Sequence, residues 1–169
     1  MKLNTRKLVI SAMLITLDLI FTRLLAINTP VMKIGFGFAA VAMAALLYGP
    51  AWASLTAALG DIVGAVLFPS GPFFPGFTLT AAMTGLIFGL LLHGGKKKLW
   101  QPILASALNC MLVTVLANTA MISYISGTPF DVLLAARSVQ FVIMFPVQAV
   151  VLCWLNRSKL MAEIVEKYT

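Results

Sequence analysis

The sequence predicts an all-α integral membrane protein, a single bundle of six transmembrane helices. Three observations predict it. The chain has 169 residues, of which 61% are hydrophobic and only 10% charged, so little remains for a water-facing surface. Its apolar residues fall into six stretches, and five are long enough for a helix of ~20 residues to cross ~30 Å of hydrocarbon. The charged residues gather between the stretches, unequally on alternate sides.

The first stretch, 8–27, follows Lys2, Arg6 and Lys7. It begins like a signal peptide, but no small-x-small cleavage site follows and Asp18 and Arg23 interrupt it. It therefore reads as a retained helix. The second, 34–49, is the short one. Tyr48-Gly49-Pro50 reads as a tight turn, with Gly ending one helix and Pro opening the third, 51–68. An uncharged break, Pro69-Ser70-Gly71-Pro72-Phe73-Phe74-Pro75-Gly76, leads into the fourth, 76–93. Pro102 suits the first turn of the fifth, 102–125, and Pro146 is expected to kink the sixth, 132–156. From about Arg157 the chain reads as a short charged helix or a frayed end. No soluble domain or solenoid repeat is evident, so residues 1–169 form one transmembrane domain.

Lysine and arginine set the orientation. With six crossings Lys2, Arg6, Lys7, Lys96, Lys97, Lys98, Arg157, Lys159 and Lys167 share one side, and only Arg23, Lys33 and Arg137 fall towards the other. The positive-inside rule puts both termini in the cytoplasm. The net charge of +7 is mostly this cytoplasmic excess, so no nucleic-acid partner is expected. Cys110 and Cys153 lie inside spans, where no disulfide framework is indicated.

Catalysis has little to stand on. The nearest approach to a phosphate loop, Gly89-Leu90-Leu91-Leu92-His93-Gly94-Gly95-Lys96, has Gly where the Lys belongs and no following Ser or Thr. His93 is the only histidine, which argues against a histidine metal site or a Ser-His dyad. The cytoplasmic carboxylates, Glu163 and Glu166, are on the tail. No enzyme, catalytic residue, metal or cofactor is expected. Uphill transport would need an ion gradient or another protein.

Polar groups inside spans are costly and mark function. Arg23, Asp61, Thr78, Thr80, Asn118, Arg137 and Gln140 share one depth band below the outer surface. Arg137, Gln140, Phe141, Met144 and Gln148 follow helical spacing on span six, and Thr114 and Asn118 do so on span five. A pocket open to the outside, walled by spans three to six, would use them. Each group also has a plain structural reading. Asp61 and Arg137 can be an ion pair without a ligand. Asn109 and Gln148 fit interhelical hydrogen bonds, and Asp18 suits a structural or a functional carboxylate equally. Phe73, Phe74 and Phe77 flank the uncharged loop, either as interface anchors or as a stacking surface for a planar ligand. Small residues recur at Ala53/Ala57, Gly60/Gly64 and Gly85/Gly89, where helices can approach closely. Ala12 and Thr16 lie on span one near the basic cytoplasmic end, where a partner could dock.

Several stretches carry a family resemblance: Thr22-Arg23-Leu24-Leu25-Ala26-Ile27, Ile34-Gly35-Phe36-Gly37-Phe38, Leu47-Tyr48-Gly49-Pro50, Asp61-Ile62-Val63-Gly64, Phe74-Pro75-Gly76-Phe77-Thr78-Leu79-Thr80-Ala81 and Gly85-Leu86-Ile87-Phe88-Gly89. With six spans and no ATPase of its own, the chain resembles the substrate-binding S components of energy-coupling factor (ECF) vitamin transporters, most of all the folate-specific ones. The match covers residues 22–89 in motif and the rest in span layout. The resemblance implies a multi-pass protein of the bacterial cell membrane that binds folate from outside. It implies partners too, a transmembrane coupling subunit and two cytosolic ATPase subunits, which drive a tilting of the S component. The family's span-one docking motif is Ala-x-x-x-Ala, and here Ala12-x-x-x-Thr16 stands in its place.

Folate has a pterin with paired N–H donors, a phenyl spacer and a dianionic glutamate. On this reading Asp61 accepts the paired donors, Asn118 reads the remaining edge and Phe73, Phe74 and Phe77 stack. Thr78 and Gln140 complete the wall, and Arg23 and Arg137, deeper than Lys33, face the carboxylates. The alternatives are an S component for another vitamin and a lone ion-coupled carrier using Asp18 or Asp61. A ligand-free scaffold is the third.

Overall fold

A computed structural model describes residues 5–28, 33–69, 74–94 and 98–158, with Met161 and Ile164. Phe73, the side chain of Lys33 and the tail carboxylates lie outside the described residues.

Six helices form the bundle. Helix α1 (Thr5–Leu19) runs on into a π-helical turn, Ile20–Leu24, closed by Leu25 N–H on the Ile20 carbonyl at 2.9 Å. Two short antiparallel strands follow, β1 (Ile27–Asn28) and β2 (Lys33–Ile34), with Ile27 opposite Ile34. Then come α2 (Gly37–Tyr48), α3 (Pro50–Leu67), α4 (Pro75–Leu92), α5 (Trp100–Ser126) and α6 (Phe130–Arg157). Helices α3 to α6 have 18, 18, 27 and 28 residues, long and apolar enough to cross a membrane. The turn at Gly49 is as expected, with φ +82° at Gly49 and Pro50 in the first helical turn of α3.

Three elements differ from expectation, the first being α1, which turns π-helical at Ile20 and gives way to a strand at Ile27. The second span loses its first turn to β2 and keeps only 12 helical residues, about 18 Å of rise and too short to span alone. It is apolar on every side, and the bundle places it at the centre with eight of those 12 residues buried. The fifth helix is α-helical at both ends but π-helical over Asn109–Ala117. Hydropathy does not register that change in winding. Pro146 sits inside the continuous α6.

Where α3 meets α4, small residues form the seam and large ones face outward. A Cβ on Gly85 would lie 2.5 Å from the Ala53 carbonyl oxygen, and one on Gly89 would run into the Pro50 backbone, so α3 and α4 touch backbone to backbone. Ala53 and Ala57 are buried in the same seam. On the opposite faces Leu55, Leu59, Ile62 and Val66 of α3 and Leu79, Met83, Leu86 and Leu90 of α4 are exposed at helical spacing, as lipid contact requires. Trp52 Nε1 donates to Ser11 Oγ at 2.6 Å and ties α3 to α1.

Contacts sort the connections into two ends. The Lys7 ammonium lies 5.7 Å from the Tyr48 ring centroid, and His93 packs beside Gly49, so these regions share one end. Phe74 meets Tyr124 at the other, with ring centroids 6.4 Å apart.

Candidate functional site

Among the described residues a cavity of about 610 Å³ opens towards the Phe74–Tyr124 end, and all six helices contribute to its wall. Its size suits a drug-sized ligand. Both π-helical segments border it. The α1 turn supplies Thr22 and Arg23, and the α5 segment supplies Asn109, Val113 and Thr114, with Asn118 just beyond. The i→i+5 winding widens the helix where these side chains face inward.

Arg23, Asp61, Phe74, Phe77, Asn118, Arg137 and Gln140, all expected from the sequence, line this one cavity. Thr78 sits behind the wall and donates to Asp61 Oδ2 at 2.8 Å. Phe74 and Phe77 meet edge to face at 6.1 Å and 74°. The stripe on α6 is Arg137, Gln140, Met144 and Gln148. Phe141 leaves it to stack on Phe145 with centroids 5.6 Å apart.

The ion pair differs from the one the sequence suggested. Asp61 Oδ1 faces Arg23 Nη2 at 3.7 Å, while Arg137 Nη1 donates to Gln140 Oε1 at 2.7 Å. Depth along the chain placed all three groups at one level, but only helix phase and neighbour choice decide which two meet. Arg137 is 5% exposed, and among the described residues no carboxylate lies within 4.0 Å of it. Two enclosed polar atoms on cavity-lining residues, Arg137 Nε and Asn118 Oδ1, lack a hydrogen-bond partner among the described residues. Such orphans need explaining, because an unmet buried group is costly.

Asn109 and Gln148 are the interhelical hydrogen-bonders the sequence suggested, Thr84 joins them unforeseen, and all three also face the cavity. Asn109 Nδ2 donates to Gln148 Oε1 at 3.1 Å, and Asn109 Oδ1 accepts from Thr84 Oγ1 at 2.9 Å, linking α4, α5 and α6. Asp18 borders the cavity as well, a role the sequence left open. Its carboxylate oxygens lie against Gly37 and Gly60, where a Cβ would collide with them. The phase of these glycines against Asp18 was the signal available in the sequence, though it required knowing that α1, α2 and α3 adjoin. Ala12 and Thr16 are both exposed on α1, away from this cavity.

The family model for the ECF transporter substrate-specific component matches residues 6–155. A folate transporter FolT from Clostridium novyi (strain NT) is 39% identical over 141 residues, covering 83% of this chain and 82% of the relative. A FolT from Leuconostoc mesenteroides subsp. mesenteroides is 30% identical over 172 aligned positions, 98% of this chain and 92% of that one. The crystal structure of FolT bound with folic acid superposes with a TM-score of 0.86 at 30% identity, covering 90% of this chain and 93% of that chain. The family is one of transporter components and not of enzymes. This chain belongs to the substrate-specific components of ECF transporters.

Proposed function

We propose that this chain is a folate-binding S component, taking folate from the outer face of a bacterial membrane. The observation that carries the reading is the polar-walled cavity of about 610 Å³, in a chain whose superposed relative holds folic acid. Phe74 and Phe77 offer ring faces and edges for a pterin and a phenyl spacer. Asp61, Asn118 and Gln140 supply hydrogen-bonding groups, and Arg23 and Arg137 supply positive charge for an anionic ligand. Thr78 steadies Asp61 through its 2.8 Å hydrogen bond. The basic excess beside the Tyr48 end makes that end cytoplasmic, so the cavity faces out. Calorimetric titration of the detergent-purified protein with folate, riboflavin and thiamine tests this. Tight binding of folate alone, near one per chain, is expected. A folded protein that ignores folate and binds another vitamin would replace the substrate.

On this reading release inward is powered by an ATP-driven module of a transmembrane coupling subunit and two cytosolic ATPases, the partners that membership of the ECF family implies. Ala12 and Thr16 form the docking face. Thr16 Oγ donates to the Ala12 carbonyl at 2.9 Å, so the hydroxyl is held by its own helix and the patch stays small and smooth. Leucine at both positions is expected to abolish co-purification with the module while folate affinity is unchanged. Undiminished co-purification would move the docking face elsewhere.

A further inference from the structure

We propose that Arg137, and not Arg23, anchors the carboxylate end of the ligand, and that Asn118 reads the amide N–H beside it. The proposal rests on the folate reading above and adds which end of the molecule each wall takes.

The two arginines differ in what they already hold. Arg23 faces Asp61 at 3.7 Å, and Asp61 is itself held by Thr78, so that wall is a neutralised pair. Arg137 is buried on the same cavity, and among the described residues its hydrogen-bond partner is the neutral amide of Gln140. Its Nε is enclosed and unpartnered, and among the described residues no carboxylate comes within 4.0 Å. Leaving a buried guanidinium without a counter-charge is expensive, and a protein keeps one where a ligand brings the charge. The hydrogen bond through Nη1 fixes the plane of the guanidinium and leaves the Nε–Nη2 edge, two parallel donors that match a carboxylate.

The second orphan has the opposite polarity. Asn118 Oδ1 is an acceptor without a donor. A cation beside an acceptor is the complement of an N-acyl amino acid, whose carboxylate and N–H stand on the same carbon. The glutamate of folate, joined through its amide, is such a group. A pterin edge would satisfy donors at Arg137 but bring no charge to it, so the charge balance favours the glutamate end.

The test compares folic acid with folic acid dimethyl ester, which keeps the rings, length and amide N–H but caps both carboxylates. The wild-type protein is expected to bind the free acid at least ~100-fold more tightly, on the scale of a charge-assisted bidentate contact. In Arg137→Gln the acid weakens to within ~5-fold of the ester, whereas Arg23→Gln keeps most of the discrimination. Arg137→Lys recovers part of it. The ligand-free Arg137→Gln protein melts no lower than wild type, because relief of the uncompensated buried charge offsets the lost hydrogen bond to Gln140. Equal wild-type affinity for acid and ester overturns the proposal without touching the folate reading, and so does discrimination that survives in Arg137→Gln or disappears in Arg23→Gln. Folded wild-type protein that binds neither ligand overturns the folate reading itself.

Discussion

Leucine in place of Gly89 is expected to be the most damaging single change in the bundle. The added Cβ meets the Pro50 backbone, and Pro50 N would lie 2.6 Å away. Neither side can yield, because Pro50 is fixed between the Gly49 turn and the first turn of α3. Overpacking a rigid backbone seam costs about 3 kcal/mol or more. Displacing α4 also shifts Phe77, Thr80 and Thr84, which line the cavity. Thermal melts in detergent should therefore show a clear loss of stability, with folate affinity falling alongside. Gly85→Leu, which drives a side chain into the Ala53 carbonyl, should behave in the same way. Substitutions that leave both melting and binding intact would mean that α3 and α4 do not touch at these glycines.

Removing the Asp61 carboxylate is the second large effect. Asp61→Ala takes from Arg23 a partner at 3.7 Å and removes the acceptor of the Thr78 hydroxyl. The two side chains are half-buried, 12% and 22% exposed, so breaking the pair costs about 1–3 kcal/mol, between an exposed pair and a fully buried one. The decisive measurement is a double-mutant cycle. Asp61→Ala with Arg23→Ala together should be milder than the sum of the two single changes, since both remove the same contact. Folate affinity should weaken in both single mutants if the pair faces ligand. Strict additivity would show that the two groups do not interact.

Much of this protein was legible in its sequence. Six apolar stretches with the charges between them gave six helices, and Gly49-Pro50 marked its turn, since transfer into lipid and backbone chemistry act on each segment by itself. The depth of Arg23, Asp61, Asn118, Arg137 and Gln140 along their helices brought out one polar band, and the structure gathers all five around one cavity. The Ala53, Gly85 and Gly89 spacing likewise foretold a close seam.

Other features were set only by the tertiary structure. Asp61 pairs with Arg23 and not with Arg137, because pairing depends on which helices adjoin and how each is rotated. The second helix is too short to cross alone and lies at the centre, where neighbours and not lipid surround it. The π-helical turns of α1 and α5 change the winding by one residue where the cavity needs room, a shift that composition and hydropathy cannot register. Asp18 acquires its place from two glycines on other helices. Hydrophobicity and charge belong to a single residue and its immediate neighbours, so the sequence determines helix count and turn positions. Ion pairs, orphaned donors and cavity walls belong to sets of residues far apart in the chain, and only packing brings those together.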